Sequence, residues 1–205
     1  MRRIRIFWAV LSVISVIVLF LGSASAELIV DSNYELVGKS RASRTEYDYT
    51  YQANITNSGP IIEVNVTATL SSSSENTTII DGDVTFGNVS AGDTVGGADP
   101  FTIRQDRRYP FDPASLVWNV ASEKLRIKNV TPAAALPGAT VTVKYSGGCS
   151  GVPLEAVLNG HIINTTTSPD NHDSVCFVIP DGVKSNPLYL KQEGRYSNAV
   201  YFSIS

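Results

Sequence analysis

The amino-acid sequence predicts an all-β protein with two β-sandwich domains in tandem behind an N-terminal signal peptide. Ser, Thr, Val, Ile and Tyr are plentiful and Gly and Pro punctuate them, which is the composition of strands and turns. Several short runs alternate between apolar and polar residues, as half-buried strands do. Past the first 26 residues, no stretch sustains the 3.6-residue apolar period of a helix. The predicted boundaries are 1–26 for the signal peptide, 27–121 for the first domain and 122–205 for the second.

The first 26 residues have the three parts of a secretory signal peptide. Met1–Arg5 is basic, Ile6–Gly22 is a run of apolar and small residues, and Ser23–Ala26 has the small-residue pattern that signal peptidase cleaves. We expect cleavage after Ala26 and a secreted, periplasmic or cell-surface location. The alternative is a retained anchor, because an apolar run of about 17 residues is the shortest that spans a membrane. Membrane attachment is expected only in that case.

The charge of the chain argues against two classes of partner. The whole sequence has 16 Lys and Arg against 19 Asp and Glu, and removal of the signal peptide leaves 13 against 19, a net charge of −6. Nucleic-acid binding depends on Lys and Arg that neutralise phosphates, and an acidic protein is not drawn to anionic membranes. The expected partner is therefore a surface protein or a glycan of unknown identity, with no nucleic acid.

The first predicted domain opens with two alternating runs. Glu46–Thr56 places Tyr47, Tyr49 and Tyr51 on one face, and the run at 62–70 places Glu63 on its polar face. A turn at 57–60 joins them, so they form an antiparallel hairpin or a sandwich corner. We expect the three tyrosines to be core rather than a binding stripe, and Trp118 to be core rather than a sugar-stacking platform. Shorter strands are predicted at Thr78–Ile80, Val84–Phe86, Phe101–Arg104 and Leu116–Val120.

The second predicted domain continues the alternation. Its strongest turn signal is Asn159-Gly160, which is typical of a two-residue hairpin. The predicted strands are Leu125–Val130, Thr140–Tyr145, Ala156–Leu158, His161–Ile163, Val175–Ile179, Leu188–Leu190 and Ala199–Ile204.

Cys149 and Cys176 are the two cysteines of the chain. An even number of cysteines in an oxidising compartment predicts a disulfide. Closure of a loop of about 28 residues would stabilise the fold by roughly 3–4 kcal/mol. A redox pair or a metal site is the alternative, and the sequence offers neither a C-x-x-C motif nor histidines beside either cysteine to support it.

The densest charge cluster lies at residues 104–108. One interpretation is that Arg104, Arg107 and Arg108 contact a small anion or an acidic glycan. The other is a turn held by a pair between arginine and Asp106, with the remaining arginines in solvent. Three neighbouring arginines in the sequence do not decide between these two interpretations.

The sequence predicts no catalytic residue, no metal site and no cofactor, and we expect that the protein is not an enzyme. It has two histidines, His161 and His172, and none of the common nucleophile, zinc or phosphate-loop motifs. The loop around His172 offers Asp170, Asn171 and Asp173 to a cation, but it lacks the twelve-residue spacing of a calcium loop.

Six Asn-x-Ser/Thr sequons are candidate glycosylation sites. Two of them fall on predicted polar strand faces, where a glycan has room. Such faces also favour Asn and Thr for other reasons, so the sequons alone do not establish modification. They are Asn54, Asn65, Asn76, Asn88, Asn129 and Asn164.

The landmarks of the second half resemble the IPT/TIG family of immunoglobulin-like domains. The resemblance implies a seven-strand sandwich that surface proteins use for spacing and for protein or glycan contact. This chain departs from the family at 145–149, where the family has Gly-x-Gly-Phe, and the disulfide is expected to replace the missing aromatic plug. The resemblance is carried by Ile127 and Val130 before Pro132, by Pro137-Gly138, by Thr140–Val143, by Leu158–Gly160, by Val178–Gly182 and by Gly194 leading to Ser197–Phe202.

In the first half, Tyr49–Gly59 and Asp99–Trp118 resemble segments of immunoglobulin-like modules in prokaryotic surface proteins. Both domains are therefore expected to be immunoglobulin-like. The leading hypothesis is an exported, non-catalytic binding or spacer protein. The second is a structural subunit of a surface layer, fibre or secreted complex that assembles through sheet edges. An accessory module of a carbohydrate-active enzyme, or a hydrolase, is the third.

Overall fold

The predicted all-β fold is confirmed. A computed structural model describes residues 28–168 and 171–205, so the predicted signal peptide and its cleavage site lie outside the described residues. Within the described ranges the chain forms twenty β-strands and one short 3₁₀ turn at Pro113–Ser115, with no α-helix. None of the helical structure in these ranges is long or apolar enough to span a membrane.

The first half of the chain builds three small sheets. Their strand orders are β1-β4-β8, β10-β5-β7 and β2-β3-β9-β6, and every pairing in them is antiparallel. The strands are β1 (Leu28–Val30), β2 (Glu35–Arg41), β3 (Glu46–Gln52), β4 (Asn54–Asn57), β5 (Glu63–Ser72), β6 (Thr77–Asp81), β7 (Asp83–Val89), β8 (Thr94–Gly96), β9 (Phe101–Asp106) and β10 (Leu116–Glu123).

The second half builds two sheets. Their orders are β11-β13-β17-β16 and β12-β20-β18-β14-β15, with β19 paired to β18. The strands are β11 (Arg126–Thr131), β12 (Ala134–Ala135), β13 (Thr140–Ser146), β14 (Glu155–Leu158), β15 (His161–Asn164), β16 (Thr166–Ser168), β17 (Asn171–Val178), β18 (Asn186–Gln192), β19 (Arg195–Tyr196) and β20 (Val200–Ile204).

Each half has its own hydrophobic core. The first contains Ile55 and Phe101, and the second contains Leu188 and Phe202, all fully buried. No sheet among the described residues joins strands from both halves. The predicted domain boundary between 121 and 122 stays a prediction; the change of sheet occurs between the end of β10 at 123 and the start of β11 at 126.

The alternating patterns predict most inward positions correctly. In β5, Val64 and Val66 are buried whereas Asn65 is exposed, and the Asn159-Gly160 turn joins β14 to β15 with both residues at positive φ. Glu63 is a difference, because the pattern places it on the polar face and the structure buries it.

The long alternating run at 46–56 is divided at Ala53. Its first part, β3, pairs with β2 and β9, while its second part, β4, pairs with β1 and β8 in another sheet. Neither part pairs with β5, so the hairpin, the first of the two predicted alternatives, does not form. The chain passes to another sheet between β4 and β5, as the alternative of a sandwich corner expects.

The predicted disulfide between Cys149 and Cys176 is wrong, because both are free thiols. Cys176 lies on β17 opposite Thr142 of β13, and Cys149 lies in the loop after β13. Thr142 is four residues from the end of β13, which corresponds to about 13 Å of strand. A disulfide needs Cα atoms within about 7 Å. The expected replacement of the aromatic plug by a disulfide is therefore withdrawn.

Candidate functional site

A cleft of about 690 Å³ lies where the two halves meet. Residues 145–154 line it along one continuous stretch, which we call the cleft loop. Asn65 and Glu123 reach it from the first half, and Lys128, Thr167 and Asp173 reach it from the second. Its size lies within the range of about 300–1,000 Å³ that is usual for small-ligand sites.

Glycine lets the cleft loop pack directly against the segment that connects the halves. Gly147 has a φ of 71°, which is the left-handed region, and it is buried. A Cβ atom at this position would overlap the carbonyl group of Lys124 in the connecting segment. Any other residue would therefore be strained here and would push the loop away from the connector.

A single buried side chain holds the cleft loop from beneath. The Gln192 amide nitrogen donates to the carbonyl oxygens of Cys149 and Val152 at 3.0 and 2.8 Å, and its oxygen accepts from the Cys149 N–H at 2.8 Å. Gln192 is only 2% exposed, so water does not compete for these bonds. The shape of the cleft wall therefore depends on this residue.

The turn between β18 and β19 contacts the first half. Arg195 donates from Nη2 to the carbonyl oxygen of Glu123 at 2.8 Å, and Gly194 lies against Ile61. Arg195 is 6% exposed, and its Nη1 has no hydrogen-bond partner among the described residues. Burial lowers the pKa of Arg195 below its ordinary value, while Glu63 and Cys149 oppose that shift.

Glu63 is the buried acidic group of this junction. It is 2% exposed, and its carboxylate accepts hydrogen bonds from the Ser122 hydroxyl and from Lys124 Nζ, the latter at 3.3 Å. A buried carboxylate needs such partners, because burial disfavours an isolated charge. The junction therefore combines a buried acid with a buried base.

The cleft is lined by neutral polar groups and by side chains of positive and of negative charge. Asn65 donates from Nδ2 to Glu123 at 2.7 Å, and Asn88 donates to the Cys149 sulfur at 3.5 Å. Burial raises the pKa of Tyr145, with a further contribution from the negative charge of Asp173. Amide, hydroxyl, carboxylate and ammonium groups thus surround a half-buried aromatic ring.

The three arginines singled out in the sequence lie away from the cleft. Arg104 forms two bonds to Asp48, at 2.7 and 3.0 Å, and Arg108 is paired with Asp106. Arg107 instead lies over the ring of Tyr47, with its guanidinium carbon 5.7 Å from the ring centroid.

The sequons lie mostly at the surface. Asn54, Asn88, Asn129 and Asn164 are exposed and Asn76 is half-buried. Asn65 is also exposed, but it lines the cleft, so a glycan attached there would occupy the cleft.

Residues 169 and 170 of the predicted histidine-containing loop lie outside the described residues, whereas Asn171–Asp173 form the start of β17. Among the residues that the structure does describe, no three His, Cys, Asp or Glu side chains are grouped as metal ligands would be.

Sequence reasoning missed Gln192, although a signal for it was present. In β18, Leu188 and Leu190 face the core, and the same period carries Gln192 inward. A polar residue at an inward position has to be hydrogen-bonded in the interior. Arg195 offered no comparable signal, since its burial depends on contact between the halves.

Comparisons with known proteins add little. No family model and no curated protein matches the chain. One chain of a solved structure, described as a mouse coronavirus receptor-binding domain complexed with its murine receptor, is 13% identical over 87% of this chain and all of its own length, with a TM-score of 0.29. A likeness at that level carries no argument about fold or function.

Proposed function

We propose that this chain is an exported, non-catalytic binding module and that its ligand site is the cleft at the junction of its two halves. The observation that supports this most is the lining of the cleft. Asn65, Glu123, Lys128 and Thr167 supply donors and acceptors of both charges around Tyr145. Such a set suits a neutral, hydroxyl-rich ligand, and we propose a short oligosaccharide.

The resemblance of the second half to IPT/TIG domains supports the same proposal, because surface proteins use these domains for contact with proteins or glycans. The cleft also has a fixed wall, since Gln192 anchors the cleft loop at three points. A wall fixed before the ligand arrives lowers the ordering cost of binding.

A printed glycan array tests this proposal. Thr167→Phe fills the cleft with an aromatic ring, and Thr85→Phe makes the same change at an exposed position of β7. We expect the unaltered protein and Thr85→Phe to bind the same glycans and Thr167→Phe to bind none. Binding at background level for the unaltered protein, or retention of binding by Thr167→Phe, would contradict the proposal.

A second candidate, a structural subunit that assembles through strand edges, is favoured by β10. Among the described strands, this eight-residue strand pairs with β5 alone, and Val117 on it is 54% exposed. A long unpaired edge is a template for pairing with another chain. Size-exclusion chromatography with light scattering tests it, and a monomer at every concentration would exclude assembly.

A further inference from the structure

A second surface, distinct from the cleft, collects the positive charge of the first half. Residues 28–121 contain six Lys and Arg and twelve Asp and Glu. All six basic residues come from two short segments, 39–44 and 104–108. Three acids lie within or close to these segments: Glu46, Asp48 and Asp106. We call this surface the basic end. Its members are Lys39, Arg41, Arg44, Arg104, Arg107 and Arg108.

Sheet pairing brings the two segments together. Along β3, Tyr49 lies opposite Lys39 and Tyr47 lies opposite Arg41, while Asp48 lies opposite Arg104 on the other side. The basic end therefore has a surplus of three positive charges, while the other nine acids of residues 28–121 leave the rest of this half negative.

Two of the six cations are already neutralised. Arg104 is paired with Asp48 and Arg108 with Asp106. Among the described residues, the other four have no carboxylate within ion-pair distance. The charge that is free to act on a ligand is therefore carried by the other basic residues, Lys39 and Arg107 foremost.

Aromatic rings hold these two cations in place. Lys39 Nζ lies 4.8 Å from the ring centroid of Tyr47 and 5.0 Å from that of Tyr49. Arg107 also lies over Tyr47, so the two charges are within about 10.5 Å of each other. Tyr47 and Tyr49 are in turn part of a row of rings that continues through Tyr51. Cations fixed in this way lose little freedom when an anion binds.

The basic end is separated from the cleft by the length of β5. Glu63, the first residue of β5, belongs to the junction, whereas the carbonyl of Asn76, just after β5, accepts a hydrogen bond from Asp106. Ten residues of strand span about 30 Å. The two surfaces can therefore be altered independently.

We propose that the basic end binds a carboxylated polysaccharide, with Lys39 and Arg107 contacting its carboxylates. Two of the six cations are paired, so four remain to contact a ligand, and nine further acids lie in the rest of this half. A membrane or a DNA duplex presents negative charge over a wide area, which those acids would repel. A single polysaccharide chain with one carboxylate per sugar is narrow enough to lie on the basic end alone.

Titration calorimetry with oligogalacturonate tests the proposal, with the methyl-esterified form of the same oligosaccharide as the uncharged control. We expect binding of the acid form alone, weakened as salt rises to about 0.15 M. The double variant Lys39→Gln, Arg107→Gln is expected to bind roughly tenfold more weakly or worse. The matched double variant Lys144→Gln, Lys184→Gln removes two exposed lysines of the other half and is expected to bind normally.

Circular dichroism checks that each variant is folded. If the Lys39, Arg107 double variant does not fold, the single variant Arg44→Gln, at an exposed position of the basic end, takes its place in the titration. Equal binding of both oligosaccharide forms, or unchanged affinity in the Lys39, Arg107 variant, would overturn the proposal. So would preferential binding of polyglutamate, of a heparin fragment or of phosphatidylserine vesicles. Thr167→Phe, which fills the cleft, is expected to leave oligogalacturonate binding intact. The proposal for the basic end can therefore fail or succeed independently of the proposal for the cleft.

Discussion

At the scale of single residues, Gln192 is the side chain that fixes the conformation of the cleft loop. It is one of the few buried polar side chains, and it makes three hydrogen bonds to the cleft loop. Replacement by Leu keeps the volume and removes every bond. Three backbone groups then lose their partner: the N–H of Cys149, the carbonyl of Cys149 and the carbonyl of Val152. A buried polar group without a hydrogen bond lowers the stability of the fold.

We expect Gln192→Leu to lower the free energy of unfolding by about 3 kcal/mol. Urea denaturation followed by circular dichroism measures this. Glu193→Gln, a change at the exposed neighbouring position, is the control and is expected to change it by less than about 0.5 kcal/mol. Equal stability of Gln192→Leu and the control would mean that the loop does not depend on this amide.

The two cysteines lead to a prediction opposite to the one made from the sequence. Because both thiols are free, Cys149→Ser and Cys176→Ser are each expected to change the free energy of unfolding by less than about 1 kcal/mol. Alkylation of the denatured protein without reductant, followed by mass spectrometry, is expected to add two groups. An unmodified mass would instead demonstrate a disulfide.

At the scale of elements, β3 and β9 are joined by a charge pair that responds to acid. The hydrogen bond from Arg104 lowers the pKa of Asp48 below its ordinary value of 3.8, and burial opposes this only partly. The folded protein therefore binds the proton less readily than the unfolded chain. The pair stabilises the fold above pH 3.8, and this contribution is lost as the pH falls through the lower pKa of the folded state.

We expect the urea midpoint to fall as the pH is lowered from about 4 to about 2, and to fall less in Arg104→Gln, because Asp48 then lacks the hydrogen bond that lowers its pKa in the folded state. Arg126→Gln, on an exposed position of β11, is the control and should follow the unaltered protein. Parallel pH profiles for both variants would show that the pair contributes nothing.

The strands also show which structural features a sequence pattern can predict and which it cannot. A period of two residues determines which side chains share a face, and it predicted the buried positions of β5 and the turn at Asn159-Gly160. It does not determine which strand is the neighbour, so the run at 46–56 was predicted as one strand although it divides at Ala53. Cysteine pairing was inferred from compartment and number, and neither contains the distance between Cys149 and Cys176.

The candidate sites were harder to predict than the fold, for a related reason. The sequence drew attention to Arg104 and Arg108. The pair between Arg108 and Asp106 agrees with one of the two interpretations of this segment, whereas the partner of Arg104, Asp48, lies on β3, far away in the sequence. Lys39 became part of the basic end only through its pairing with β3, more than sixty residues from Arg107. Contacts of that sequence separation depend on strand order, which local patterns do not carry.

At the scale of the whole molecule, the contact between the halves determines whether their two cores unfold together. Glu63 and Arg195 are both buried near the place where Arg195, on the β18–β19 hairpin, donates to the Glu123 carbonyl of the first half. Removal of one buried charge leaves the other without its electrostatic partner. The junction should therefore make the two cores unfold together.

One probe in each half tests this coupling. In a Trp8→Phe, Cys149→Ser background, the fluorescence of Trp118, which packs on the first core, reports on the first half. The alkylation rate of Cys176, half-buried in the β13–β17 pairing, reports on the second half. We expect both probes to give one urea midpoint, because the buried junction links the cores. In Arg195→Met the bond to Glu123 is lost and the two midpoints should separate, whereas Lys191→Met, on the same hairpin, should keep them together. Two midpoints in the unaltered background would show that the halves unfold independently, and the cleft would then lack a fixed second wall. A single midpoint in Arg195→Met would show that the coupling does not depend on this contact.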